Sequence, residues 1–135
     1  MTPKTPPHTP PTVLVVDDEE PIRNVARRIL EEAGYVMTEA SGGIDAIAML
    51  SEGTPLDLLI ADLDMPELGG DEMVRRIRTT RPDLRVLYVT GHIDQLMDQR
   101  PVLWDGESYL EKPFSAAGLL EAVSMSLYGT LKKKG

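Results

Sequence analysis

The sequence has no cysteine, which excludes a disulfide scaffold, thiolate zinc sites and cysteine nucleophiles and fits a cytoplasmic protein. It has no long hydrophobic run. The longest apolar stretches, Val13–Val16 and Leu58–Ala61, fall far short of the ~18–20 residues of a membrane span. No apolar block of the secretory kind stands near the start. Basic residues are outnumbered, 14 Lys+Arg against 22 Asp+Glu, for a net charge of −8. With no basic stripe to offset it, that balance repels a phosphate backbone, so neither nucleic acid nor a membrane is an expected partner.

What is present is enough for one domain: 135 residues, 41% hydrophobic. Residues 1–12 contain five of the eleven prolines. Proline lacks an amide donor and stiffens the chain, so this stretch reads as an extended, solvated tail or linker, with His8 a solvated residue inside it. The folded domain is expected over 13–129, followed by a basic tail, 130–135, that contains Lys132–Lys134.

Within the domain two periodicities alternate. Continuous apolar runs at Val13–Val16, Leu58–Ala61 and Leu84–Val89 suit strands buried on both faces of a parallel sheet. Tyr35–Ala40 is more mixed and belongs at a sheet edge, and Ser108–Glu111 is the weakest strand signal. Ile22, Val25, Ala26, Ile29, Leu30 and Ala33 fall on one helical face, with Pro21 at its first position and Gly34 as its stop. Ile44, Ile47 and Ala48 mark a second helix, and Met73, Val74 and Ile77 a third. Ile93, Leu96 and Met97 mark a fourth, which Pro101 must stop or distort. Leu119, Leu120, Val123 and Leu127 mark the last, with Ser115 as its N-cap. Strand–helix alternation five times over predicts an α/β fold: a doubly wound five-stranded parallel sheet in the flavodoxin-like order 2-1-3-4-5.

In such sheets chemistry gathers beyond the carboxyl ends of the strands. There the first strand gives Asp17-Asp18-Glu19-Glu20, the third Asp62-Leu63-Asp64-Met65-Pro66, the fourth Thr90-Gly91 and the fifth Tyr109-Leu110-Glu111-Lys112-Pro113-Phe114. Singly each has an ordinary explanation: a helix cap, a turn threonine, a solvated lysine. At the same edge of four strands those explanations would have to coincide. Three close carboxylates need a compensating cation, and all-oxygen ligands suit Mg²⁺. Asp62, on the central strand, is the expected nucleophile, with Asp17 and Asp18 holding the metal. Thr90 and Lys112 would then bind the phosphoryl oxygens.

VLVVDDEEPIR, LLIADLDMPELGG, VTGH and YLEKPF, in this order and at this spacing, resemble the response-regulator receiver family, the CheY-like domains, over residues 13 to about 128. The resemblance implies that Asp62 is the phosphoacceptor and Asp17 and Asp18 the acidic pair. It also implies that the Asp64 backbone carbonyl is a further Mg²⁺ ligand and that Thr90, Tyr109 and Lys112 form a switch trio. Residues beside Thr90 and Tyr109 on the fourth helix, fifth strand and last helix would form the output face. The implied Lys112–Pro113 bond is cis. Residues 91–114 look like receivers associated with hybrid sensor histidine kinases, which implies such a kinase or a histidine phosphotransfer protein as partner. Gly91 stands where many receivers have alanine, and Gly69-Gly70 where many have Asp-Gly.

Three other readings fit less well. Asp62-Leu63-Asp64 copies the DxD motif of haloacid-dehalogenase-like phosphatases, but there the motif lies on the first strand, and no later acidic pair follows here. A flavodoxin-like phosphate cradle would be repelled by Asp17-Asp18-Glu19-Glu20. A docking module that no longer takes phosphate would not need every chemical position intact.

Overall fold

The computed structural model of the protein describes residues 10–94 and 107–129. Five parallel strands, β1 (Thr12–Val16), β2 (Val36–Ala40), β3 (Leu58–Asp62), β4 (Val86–Thr90) and β5 (Glu107–Glu111), form one sheet in the order β2-β1-β3-β4-β5. The helices are α1 (Glu20–Glu32), α2 (Gly43–Ser51), α3 (Gly70–Ile77) and the C-terminal α4 (Ala116–Tyr128). The expected doubly wound architecture is therefore present. Ile93 and Asp94 are helical, and the rest of the expected fourth helix, with Leu96, Met97 and Pro101, lies outside the described residues.

The continuous apolar runs make sense once the faces are separated. Leu14, Val16, Leu59, Ala61, Val86 and Tyr88 join Ala46 and Leu50 of α2 and Met73, Val74 and Ile77 of α3 in one buried cluster. Val13, Val15, Leu58, Ile60, Leu87 and Val89 join Ala26 and Leu30 of α1 and Leu119 and Val123 of α4 in the other. Neighbouring residues on a strand serve opposite layers, so no polar position is tolerated between them. β2, at the edge, is only partly buried: Met37 and Ala40 are covered, Val36 is exposed, and Thr38 and Glu39 lie between, in keeping with its mixed composition.

Several ends follow from local chemistry. Pro21 sits in the first turn of α1, and Gly34 takes a left-handed φ of 97° just past its end. The Ser115 hydroxyl caps α4 by accepting the Gly118 amide at 2.9 Å. Some details differ from expectation. Thr12 is the first residue of β1, its amide donating to Asp57 Oδ2 at 2.7 Å, one residue inside the expected tail. Leu84 is buried in the turn before β4 rather than in it. On α2 the buried residues are Gly43, Ala46 and Leu50, while Ile44 is 60% exposed. Gly43 packs closely on Leu68: a Cβ there would come within 2.9 Å of Leu68 Cδ2. The helix therefore approaches through its small residues and turns Ile44 outward.

Candidate phosphoacceptor and metal site

Strand register assembles the site. Val16 of β1 is paired with Ala61 of β3, so Asp17 and Asp62 stand side by side at the carboxyl edge. Asp62 is paired with Val89, which puts Thr90 one step beyond, and Thr90 is paired with Glu111, followed by Lys112. The two-residue alternation then sorts the side chains. Leu58 and Ile60, of the same parity as Asp62, face the α1/α4 layer; Val86 and Tyr88, of the same parity as Thr90, face the α2/α3 layer.

Asp17 and Asp62 are both buried, and Lys112 Nζ bridges them at 2.9 Å from Asp17 Oδ2 and 3.3 Å from Asp62 Oδ2. The second Asp62 oxygen, Oδ1, accepts the Asp64 amide at 3.0 Å. Burial pushes the Asp62 carboxyl above its ordinary range, and the charge of Asp17 adds to the push. The Asp64 amide and the Lys112 ammonium offset only part of this. Burial acts against the Lys112 ammonium, but its hydrogen bonds and charge contacts with Asp17 and Asp62 outweigh it and hold the lysine above its usual range. Asp18 is exposed at the rim. Carboxylate oxygens of Asp17, Asp18, Glu19 and Asp62 all lie within 4.8 Å of one another. Every donor in that group is a hard oxygen, the set Mg²⁺ takes.

Thr90 is buried, and its hydroxyl donates to Asp64 Oδ2 at 3.2 Å while accepting the His92 amide at 3.0 Å. Tyr109 is half-buried with its hydroxyl inside, stacked on Tyr88 with ring centroids 5.3 Å apart. Thr90 and Tyr109 therefore lie beside the carboxylates but on the other layer of the sheet. The Lys112–Pro113 bond is cis, as expected.

Four residues take roles that the sequence reading did not give them. Glu19 belongs to the carboxylate group and lies 3.8 Å from Lys112 Nζ; its signal was its place in the acidic run. Arg23 holds the Asp17 carbonyl at 2.7 Å and Glu39 at 2.7 Å, tying α1 and β2 to the end of β1. No spacing rule announces that contact. Gly70 lets α3 start against the end of β3, since a Cβ there would sit 2.5 Å from the Asp62 carbonyl oxygen. Tyr88 was legible in principle, two residues before Thr90 and hence on its face.

Residues 13–124 match the response regulator receiver domain. The sensor kinase CckA of Brucella abortus is 32% identical over 117 residues, which are 86% of this chain and 12% of that protein. The response regulator MprA of Mycobacterium ulcerans is 38% identical over 109 residues, 80% of this chain and 46% of that protein. The chain thus spans less than half the length of these relatives. Among solved structures, chemotaxis protein CheY4 of Vibrio cholerae superposes with a TM-score of 0.76 at 27% identity, over 88% of this chain and all of that one. The receiver domain of hybrid histidine kinase CckA superposes with a TM-score of 0.73 at 31% identity, over 86% of this chain and 98% of that one. The match reaches from β1 into α4 and takes in both ends of the Asp62–Lys112 pair, and the chain accordingly belongs to the response-regulator receiver family, the signalling phosphoacceptors of two-component systems.

Proposed function

We propose that this domain takes a phosphoryl group from a phosphohistidine donor onto Asp62, in a site that holds Mg²⁺, and so relays a signal in the cytoplasm. The observation that carries this reading is the Lys112 ammonium set between Asp17 and Asp62 at 2.9 and 3.3 Å, under a cluster of four carboxylates. Asp17, Asp18 and Asp62 would hold the metal, together with the Asp64 backbone carbonyl. When bound, Mg²⁺ supplies charge neutralisation for the carboxylates and the entering phosphoryl oxygens. One divalent cation and Lys112 offset most of the charge of the four carboxylates, which lowers the repulsion an entering anionic group would meet.

The chain's own residues do the positioning. The Asp64 amide and Lys112 orient the Asp62 carboxylate. One of its oxygens forms the O–P bond as the donor's P–N bond breaks, and the donor imidazole leaves with the electron pair. Lys112 then faces the phosphoryl oxygens, and Thr90 hydrogen-bonds one of them. With Tyr109, these residues would carry the change to the face formed by β5, α4 and the segment after Thr90. The donor would be a sensor histidine kinase or a histidine phosphotransfer protein, and the likeness to CckA supports that class. A net charge of −8 supports a domain with no direct nucleic-acid contact. Among the described residues no helix is long and apolar enough to cross a membrane.

The test is incubation with acetyl phosphate, with and without Mg²⁺, followed by intact mass. One added phosphate with Mg²⁺ and none without it is the expected result. Labelling that ignores Mg²⁺, or that adds several phosphates, contradicts the reading.

A further inference from the structure

We propose that the Asp64 carboxylate is a latch on Thr90: it holds the threonine hydroxyl in the resting protein and competes with an Asp62-bound phosphoryl group for its single proton. The inference rests on the phosphoacceptor reading of Asp62. It concerns the Asp64 side chain, distinct from the backbone carbonyl assigned to the metal.

A threonine hydroxyl has one proton to give and two lone pairs to receive. In Thr90 the proton goes to Asp64 Oδ2 at 3.2 Å, and a lone pair takes the His92 amide at 3.0 Å. A phosphoryl oxygen is an acceptor only, so it can engage Thr90 solely through the proton that Asp64 holds. The two bonds exclude each other. The burial of the partners makes the exchange asymmetric. Thr90 is 2% exposed and cannot turn its hydroxyl to water, so the resting state needs an acceptor close by. Asp64 is exposed, so its carboxylate can give up the Thr90 hydrogen bond and hydrate without stranding a charge. A phosphoryl group on Asp62, two residues away, would also repel the Asp64 carboxylate, so the incoming charge opens the latch while it supplies the replacement acceptor.

Asp64 is thus a positioning residue, and its removal should make the activated state easier to reach. The probe is beryllofluoride, a phosphoryl mimic, at saturating Mg²⁺, followed by NMR. Asp64→Ala should lower the half-saturating concentration by about fivefold, the scale of one net hydrogen bond. Asp64→Asn, which keeps an acceptor oxygen, should fall between the two proteins. In a Thr90→Val background Asp64→Ala should have a clearly smaller effect, that of the lost carboxylate charge alone, since the latch has nothing to hold. Without beryllofluoride, scalar couplings should report one Thr90 rotamer in the wild type and averaging in Asp64→Ala. Half-saturation unchanged by Asp64→Ala, or changed equally in the Thr90→Val background, overturns the latch. A wild-type protein that binds no beryllofluoride overturns the phosphoacceptor reading and the competition with it.

Discussion

The buried Asp62 carboxyl carries a pH dependence whose sign can be worked out. Its folded-state pKa lies above the ordinary value, first through burial and then through the charge of Asp17. A raised pKa means the metal-free fold binds that proton more tightly than the unfolded chain does. The associated stability is fully present below the unfolded pKa and is lost as pH rises through the folded one. Metal-free Asp62→Asn should therefore melt several degrees above wild type at neutral pH. That gap should close as pH falls below the usual carboxylate range, ~4. Thermal scans from acid to neutral pH check this; a variant that melts below wild type at neutral pH contradicts it. Lys112 and Asp18 divide the remaining roles. Lys112 sits against Asp17 and Asp62 as a cation that a metal must share them with, whereas Asp18 is an exposed carboxylate at the rim. By calorimetry, Asp18→Ala should abolish Mg²⁺ binding at this site. Lys112→Ala should leave binding intact or tighter and weaken the response to phosphorylation. Equal loss of Mg²⁺ in both variants contradicts the division.

At the scale of elements, the approach of α3 to β3 and the anchoring of β5 are the contacts most exposed to single substitutions. Gly70→Ala would drive a Cβ to 2.5 Å from the Asp62 carbonyl, a backbone atom that cannot step aside. Overpacking of this kind costs ~1–3 kcal/mol, and because the displaced atom belongs to Asp62, Mg²⁺ affinity should fall along with the melting temperature. A variant that melts lower with unchanged Mg²⁺ affinity contradicts the coupling. Glu107, with a side chain only 3% exposed, pairs with Arg78 of the α3 C-cap at 2.9 Å, and Arg78 also donates to the Leu84 carbonyl at 2.9 Å. Glu107→Ala leaves a largely buried guanidinium without that partner, which places the loss near the lower end of ~3–5 kcal/mol. Denaturant unfolding measures it, and a loss no larger than that of the exposed Arg76–Glu72 pair contradicts the argument. Helix faces were only partly legible beforehand. On α3 the apolar residues Met73, Val74 and Ile77 are the buried ones. On α1 Val25 is 50% exposed although it shares a face with buried Ala26 and Leu30, because the sheet covers a narrower stripe than hydrophobicity marks. On α2 the small residues Gly43 and Ala46 are buried along with Leu50, and a hydrophobic pattern weights the small ones least.

At the scale of the whole molecule, topology was the most legible property. Runs such as Leu58–Ala61 leave no solvated face, and only a sheet covered on both sides accommodates several of them. Once the order 2-1-3-4-5 follows, the strand ends converge without further information, and Asp17, Asp62 and Lys112 meet as the register requires. What the linear order could not carry is which side chains meet across a loop or between the ends of two elements. Arg23 on the Asp17 carbonyl and the Thr90 hydroxyl on the Asp64 carboxylate both depend on side-chain reach across a loop. Glu107 with Arg78 spans 29 positions and joins two elements by their ends.

The central claim is that Asp62, among several carboxylates within reach of one cation, is the one that carries the phosphoryl group. Borohydride reduces an acyl phosphate to an alcohol, so treatment after acetyl phosphate and Mg²⁺ converts the phosphorylated aspartate to homoserine, and peptide mass mapping locates it. The account predicts homoserine at position 62 alone, and none anywhere in Asp62→Asn. Homoserine at Asp17, Asp18 or Asp64 in the wild-type protein would contradict it.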